Sequence, residues 1–435
     1  MSDPLFPSVS RAQCQKGAER KERCVSLSSF LGEIEGRGIQ PGLERIQCAL
    51  DELELRNLDA DVILVGGTNG KGSTAKRIES GYRALGFKTF LYTSPHLVHV
   101  EERFRINGVK TSTKDLDDAH TACLAKFPEG RCSAGLLTPF EWMTLVAGLL
   151  AKTQACEILV LEVGLGGRFD ATNAFEPAVS VITGIDLDHM DRLGDDLASI
   201  GREKAGIMRD GIPCVLGATT QPWIDAGNAL LEGRDFQLSR GAEPTFTLGD
   251  DCLELVGADP HLPVFDSSLA LALATLKIHQ DPSPSDFERC VRAAAASDWP
   301  GRMQRVADTP LLILDGGHNP SAIEWLVSAL QRIYVDTRFH VIFGARPGKD
   351  HRSMVHGLRP ILERLTLVGD REKFLVPPNT LADDLPEIGA FRVYEGPAID
   401  LLKERTEPTL VVGSLYLVGE VLGDLGVDDE LRVLA

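Results

Sequence analysis

Short runs of Val, Ile and Leu recur along the chain, at 61–66 (DVILVG), 157–163 (EILVLEV), 178–183 (AVSVIT), 311–315 (LLILD), 338–343 (RFHVIF) and 409–412 (TLVV). They are nearly continuous in apolar residues rather than alternating, which is the pattern of strands covered on both faces. Amphipathic stretches follow several of them, as at 72–86 and 320–333, and read as helices. Apolar strands separated by helices predict parallel sheets in an α/β fold. Residues 1–25 are polar and mixed in charge and predict a flexible tail. Segment 217–265 is rich in Gly, Pro and Asp and poorly periodic, and reads as a β-hairpin or a long loop excursion. At 295–303 (AASDWPGRM), Pro300 and Gly301 interrupt a helical pattern before a fresh strand. The expected division is one domain over 26–296 and a second, of ordinary size, over 297–435.

Composition narrows the function classes. A chain of 435 residues with 43% hydrophobic and 25% charged residues can build sizeable cores and is not a disordered polymer. Its 45 basic and 63 acidic residues give a net charge of −18, which repels phosphate backbones and anionic lipid. Neither a nucleic acid nor a membrane is expected as partner. The nine cysteines form no CxxC pair, which points to a reducing, cytoplasmic compartment. The first residues show no apolar core before a cleavage site, so no signal peptide is expected. Thr138, Glu141 and Thr144 break the best apolar stretch, and no membrane span is predicted.

The strongest chemical signal is VILVGGTNGKGST at 62–74. A buried strand runs into Gly66-Gly67-Thr68-Asn69-Gly70-Lys71-Gly72-Ser73-Thr74, and a helix follows. Glycines let successive backbone N–H groups turn onto a phosphate, and the helix N-terminus adds its dipole. Lys71 can reach the β- and γ-phosphates, and the Ser73 or Thr74 hydroxyl can ligate Mg²⁺. The strict G-x-x-x-x-G-K-[ST] pattern is not met, because Gly72 separates Lys71 from Ser73 and Val65 occupies the first glycine position. Glu162 ends another apolar strand, and a carboxylate there points into the crevice where ligands bind. Hard cations take such oxygen donors. His189 stands just past a further strand, among Asp186, Asp188 and Asp191.

GTNGKGS resembles the phosphate loop of the folylpolyglutamate synthase and dihydrofolate synthase family, ATP-dependent ligases related to the Mur ligases. Further segments resemble the family in order: GLERI (42–46), TSPHL (93–97), ERFRING (102–108), TPFEW (138–142), LEVGLGGRFDATN (161–173), DLDHMDRLG (186–194), SIGREKAGI (199–207), PGRM (300–303), LDGGHNP (314–320) and GSLYLVGE (413–420). The resemblance implies an N-terminal ATPase domain with a P-loop-type, mostly parallel sheet, a smaller Rossmann-like C-terminal domain, and an active site in the cleft between them. It makes Ser73, Glu162 and His189 metal ligands near the γ-phosphate. It also implies that Lys204 is carbamylated and holds a second Mg²⁺, which requires a neutral amine and hence a depressed pKa.

In the second domain, Asp315 and Asn319 can hydrogen-bond polar groups, and the His318 ring can stack on a base. The resemblance gives this segment to ATP and to the incoming glutamate, takes Arg302 to the nucleotide phosphates, and places Ser414 and Tyr416 around the glutamate. Thr138, Phe140, Asp170 and Asn173 lie where the family holds its pterin or folate, and Arg103 and Arg105 read either as surface cations or as holding the substrate loop. Two departures stand out. Where the family often has a D-K-D triplet, this chain has Gly348-Lys349-Asp350, which questions an interdomain contact. The H-Q-x-x-N-A run that borders the adenine is absent from 261–273 (HLPVFDSSLALAL).

The expected function is ATP-dependent ligation of L-glutamate to dihydropteroate, to a folate, or to both, through an acyl phosphate, by a monomer. ATP and Mg²⁺ are the implied cofactors, and a requirement for K⁺ stays open. Two rivals stay open as well. One is a Mur-type ligase acting on another acid, opposed by TSPHL, GLGGRFDATN and the lack of an extra N-terminal substrate domain. The other is a non-catalytic nucleotide-binding protein, opposed by Glu162, His189 and Lys204 occurring together.

Overall fold

The structure, a computed structural model, describes residues 25–225, 227, 229–239, 245–254, 267–385 and 390–427. All but the last residue of the expected tail lies outside that set, as does part of the segment 217–265.

The first sheet has eight strands in the order Leu230–Leu231, Cys214–Leu216, Val179–Ile182, Asp61–Gly66, Ile158–Glu162, Thr89–Tyr92, Phe104–Ile106 and Val109–Lys110. The first six are parallel, and the last two add an antiparallel edge. The apolar runs are continuous because each strand feeds two cores. Val62 and Leu64 face one core, and Ile63 and Val65 face the other. Leu159 and Leu161 alternate with Ile158 and Val160 in the same way. One face is covered by helices that include Pro139–Thr153, the other by Lys71–Ala84, Ser267–Gln280 and Pro284–Ala295. Gly81 is needed where the first of these last three meets the second, since a Cβ there would lie 2.3 Å from Leu276. Within 217–265 the described residues form a small three-stranded antiparallel sheet, Phe236–Ser239, Thr245–Leu248 and Asp251–Glu254.

The chain crosses to the second sheet through the turn at Trp299, where the Arg302 N–H donates to the Trp299 carbonyl at 3.1 Å. Six strands follow in the order Gln304–Asp308, Leu311–Asp315, Thr409–Val412, Phe339–Phe343, Leu362–Val368 and Arg392–Tyr394. All pairings are parallel except the first. Ile313, Val341 and Leu410 face one core, and Leu312, Ile342 and Val411 the other. Helix Pro320–Ile333 falls where the periodicity places it, capped by Asn319. Loops leaving the carboxyl ends of both sheets meet one another. Helix Leu415–Leu425 lies so close to the loop after Thr89–Tyr92 that a Cβ at Gly419 would be 2.1 Å from the Leu97 carbonyl oxygen.

Candidate active site

The phosphate loop leaves the carboxyl end of the central strand Asp61–Gly66, between Val179–Ile182 on one side and Ile158–Glu162 on the other. Neighbouring connections depart in opposite directions there, which is where open α/β sheets bind ligands. Gly67 has φ +135°, and a Cβ on it would sit 2.0 Å from the Thr183 hydroxyl, so only glycine fits. Gly70, at φ +80°, opens helix Lys71–Ala84. The loop is rigid: the Thr183 hydroxyl donates to the Asn69 carbonyl at 2.6 Å, and the Thr68 hydroxyl is bonded to Asp186.

Two ammonium groups converge on the loop. Lys71 Nζ donates to the carbonyls of Gly67 and Thr68, each at 3.1 Å, and Lys204 Nζ donates to the Gly67 carbonyl at 2.8 Å. Burial, then the positive charge of Lys71, pushes Lys204 down to about 7 against the pull of Asp188. Burial also lowers Lys71, opposed by Glu162 and Asp188. Glu162 is buried, and its carboxylate accepts the Ser94 N–H at 2.9 Å. Burial raises its pKa, and Lys71 and that N–H draw it back.

The irregular Gly72 has a steric reason. A Cβ there would lie 3.0 Å from the Trp299 indole nitrogen and 3.4 Å from a Glu162 carboxylate oxygen. The residue after the lysine must be bare for Glu162 and the interdomain tryptophan to close over the loop. Ser73 is half-buried on the first helical turn, and Thr74 is buried with no hydrogen-bond partner for its hydroxyl among the described residues. The cavity where Gly72, Ser94, Glu162, Trp299, Arg302 and Leu415 meet holds about 30 Å³, room for a water or two rather than an organic substrate.

His189 sits at φ +51° at the start of a short helical turn, with its side chain 44% exposed. Partial burial, with the cations of Lys349, His318 and Lys71, pushes the imidazole down to about 4 against the pull of Asp188. The neutral ring is the metal-ligating form. Asp188 beside it faces the second domain. One carboxylate oxygen pairs with Lys349, and the other lies 3.3 Å from both the His318 Nε2 and the Asn319 Nδ2. Burial opposes its ionisation, but His318 and Lys349 outweigh it and hold the carboxyl well below the usual carboxylate range. Lys349 thus spans the domains although the triplet's first acid is Gly348, and the questioned contact is present. Asn69 and Asn319 exchange side-chain amide hydrogen bonds at 3.0 and 3.2 Å.

The other expected residues are placed as follows. Arg302 approaches Gly316, where a Cβ would be 2.6 Å from its Nη1. Asp315 accepts the Met303 and Gly317 N–H groups at 2.8 and 2.7 Å, tying PGRM to the turn before His318. Ser414 caps helix Leu415–Leu425 through the Tyr416 N–H. Thr138 and Glu141 cap helix Pro139–Thr153 reciprocally, and the Phe140 ring packs where a Cβ on Gly164 would be 2.6 Å from it. Asp170 accepts from the Leu165 N–H and from the Thr172 N–H and hydroxyl, and Asn173 donates to the Arg168 and Gly206 carbonyls. These two dock the glycine loop onto helix Leu197–Ala205, which carries Lys204; a Cβ at Gly167 would be 2.7 Å from the Glu203 carbonyl oxygen.

Sequence reasoning passed over Trp299, Thr183 and the bridging role of Asp188. The DLDHMD turn offers three acids and a histidine in six residues, and nothing in their order singles out the one that faces the partner domain. Among the described residues no three His, Cys, Asp or Glu side chains gather as a metal-holding group. Mg²⁺ in nucleotide-dependent enzymes takes few carboxylates and completes its shell with other oxygen donors and substrate phosphates. Glu162, the neutral His189 and the Ser73 hydroxyl are donors suited to it.

A phosphate loop at a switch point, with buried carboxylate and amine beside it and a second α/β domain closed across it, defines an ATP-dependent ligase of the Mur type. Residues 301–412 match the family described as Mur ligase, glutamate ligase domain. The dihydrofolate synthase/folylpolyglutamate synthase of Escherichia coli is 36% identical over 348 residues, 78% of this chain and 80% of the relative. The crystal structure of the bifunctional folylpolyglutamate synthase/dihydrofolate synthase of Yersinia pestis with AMPPNP and Mn ion superposes with a TM-score of 0.82 at 31% identity, covering 92% of this chain and 98% of that one. E. coli FolC in complex with DHPP and ADP gives 0.80 at 29% identity over 92% and 98% of the two chains. The chain belongs to the folylpolyglutamate synthase/dihydrofolate synthase family. No helix of the described residues is long and apolar enough to cross a membrane.

Proposed function

We propose that this enzyme joins L-glutamate both to dihydropteroate and to reduced folates, as a cytoplasmic monomer of two domains, 26–296 and 297–435. The observation that carries the reading is the convergence of Lys71 and Lys204 on one phosphate-loop carbonyl beside the buried Glu162. The acceptor's carboxylate oxygen attacks the γ-phosphorus of ATP, and ADP leaves. The glutamate amine then attacks the acyl carbon, and phosphate departs with the carboxylate oxygen. Lys71 leaves its carbonyl partners to meet the charge developing on the transferred phosphoryl group. The loop N–H groups at Asn69–Ser73 and Arg302 orient the nucleotide, those of Thr68 and Thr74 being held by the Gly184 and Gly70 carbonyls, and Asp315 and His318 shape the second domain's side of its site.

Ser73, Glu162 and His189 would hold one Mg²⁺, and a Lys204 carbamate a second. When bound, the ions neutralise phosphate charge. A lysine pushed down to about 7 supplies the free amine that carbon dioxide needs, forming an N–C bond and releasing a proton. Phe140, in the first turn of the helix that Thr138 caps and packed on the glycine loop that Asp170 and Asn173 fix, faces the pterin, while Asn319 and Ser414 fix the glutamate side. Closure of the second domain over the site keeps water from the mixed anhydride.

The reading is tested by offering ATP, Mg²⁺ and L-glutamate with dihydropteroate or tetrahydrofolate separately and weighing the products. One added glutamate on each acceptor is the expected result. Turnover of a single acceptor would remove the dual assignment, and turnover of neither would remove the folate assignment.

A further inference from the structure

The contacts around Asp188 form a node that joins four loops from two domains. Its backbone belongs to the turn after strand Val179–Ile182, which Thr68 of the phosphate loop pins: the Thr68 hydroxyl accepts the Asp186 N–H at 3.0 Å and donates to the Asp186 carbonyl at 3.2 Å. One Asp188 oxygen receives both the backbone N–H of His189, at 2.9 Å, and the ammonium of Lys349 from the loop after strand Phe339–Phe343. The other oxygen receives Asn319 and lies at contact distance from His318, both in the loop after strand Leu311–Asp315. Asn319 is in turn paired with Asn69 and caps helix Pro320–Ile333 through the Ala322 N–H at 2.9 Å. The Asp188 side chain is only 9% exposed, so the pair with Lys349 is shielded from solvent. Exposed ion pairs contribute little; shielded, multiply bonded ones hold geometry.

We propose that Asp188 is a positioning residue through which closure of the two domains sets the backbone of His189 and the phosphate loop. Lys349, arriving with the second domain, binds the same carboxylate oxygen that holds the His189 N–H. One oxygen atom therefore links domain closure to the left-handed setting of His189. The clasp also explains why Lys349 stays in place when the acid two residues before Asp350 is replaced by Gly348: the ammonium's partner lies in the other domain, not in its own loop. The Asp188–Lys349 clasp forms as the domains close and releases as they part.

This rests on the ligase reading above, and the controls separate the two. Lys349→Met removes the cation without touching the turn that carries His189, Lys349→Arg keeps it, and Asp188→Asn removes the anion. Kinetics of glutamate addition are measured for each and for the Asp188→Asn/Lys349→Met double variant, with small-angle scattering of each protein and binding of an ATP analogue without divalent metal. The expected result is a fall in kcat of about 100-fold for Lys349→Met, with a far smaller loss of nucleotide affinity and a larger radius of gyration. Lys349→Arg recovers most of the rate, and the double variant is no worse than the poorer single one. Additive losses, an unchanged radius, or full activity in Lys349→Met would each overturn the clasp. A wild-type protein that ligates nothing would instead overturn the ligase reading, while the scattering difference between wild type and Lys349→Met still reports on the clasp.

Discussion

At the residue scale the chemistry turns on two unusual positions, Lys204 and Gly72. Lys204 is buried beside another lysine, and its proton is held less tightly folded, at about 7, than unfolded, where a lysine has a pKa of about 10.4. Between those values the unfolded chain carries the extra proton, so stability rises with pH; below 7 the cost is complete and constant. Chemical denaturation in metal-free, bicarbonate-free buffer is expected to show that slope in the wild type and a shallower one in Lys204→Met, where the buried Lys71 still contributes. Lys204→Arg keeps a cation where the carbamate is proposed, and kcat is expected to fall by about 100-fold or more. Lys204→Ala is expected to regain part of its rate in added formate or acetate. Activity in Lys204→Arg equal to wild type would remove the carbamate. Gly72→Ala places a Cβ 3.0 Å from Trp299 and 3.4 Å from Glu162. About tenfold loss of kcat/KM with an unchanged melting temperature is expected, since small displacements at the reacting centre are costly; unchanged kinetics would show that the indole and carboxylate yield without consequence.

At the element scale the fold was legible because parallel strands covered on both faces leave continuous apolar runs. All six runs are strands, and 320–333 is a helix from first residue to last. The helix after the phosphate loop begins at Lys71, one residue before its apolar pattern, because Gly70 rather than the pattern sets its start. Cross-domain packing was not legible in the same way, since it depends on what a glycine lacks. Gly419 reads as an unremarkable small residue in LYLVGE, yet it lets helix Leu415–Leu425 rest on the backbone of Leu97. Gly419→Leu is expected to leave both cores folded and to abolish ligation, with the domains separated in small-angle scattering. Retained activity would show that the helix can slide without opening the cleft. The substrate residues were legible as a group and not in their work: Thr138, Asp170 and Asn173 spend their polar atoms on caps and loop docking, which single-sequence motifs cannot distinguish from ligand contacts.

At the scale of the whole molecule, two sheets of opposite partners face each other through the loops at their carboxyl ends, and the site exists only where those loops meet. Neither domain alone contains it: the first carries Lys71, Glu162, His189 and Lys204, and the second carries Arg302, His318 and Lys349. The net charge of −18 sits on a molecule whose cations Lys71 and Arg302 meet in the cleft, a distribution that suits anionic nucleotide and carboxylate substrates entering a local basic site. The central claim is that this cleft activates a carboxylate through phosphoryl transfer and then delivers it to an amine. The most direct measurement uses an acceptor whose carboxylate carries heavy oxygen, with ATP, Mg²⁺ and L-glutamate, and follows the label into inorganic phosphate. One labelled oxygen is expected in the phosphate for each glutamate joined. Unlabelled phosphate alongside normal product would contradict it, because the carboxylate oxygen would then never have bonded to phosphorus.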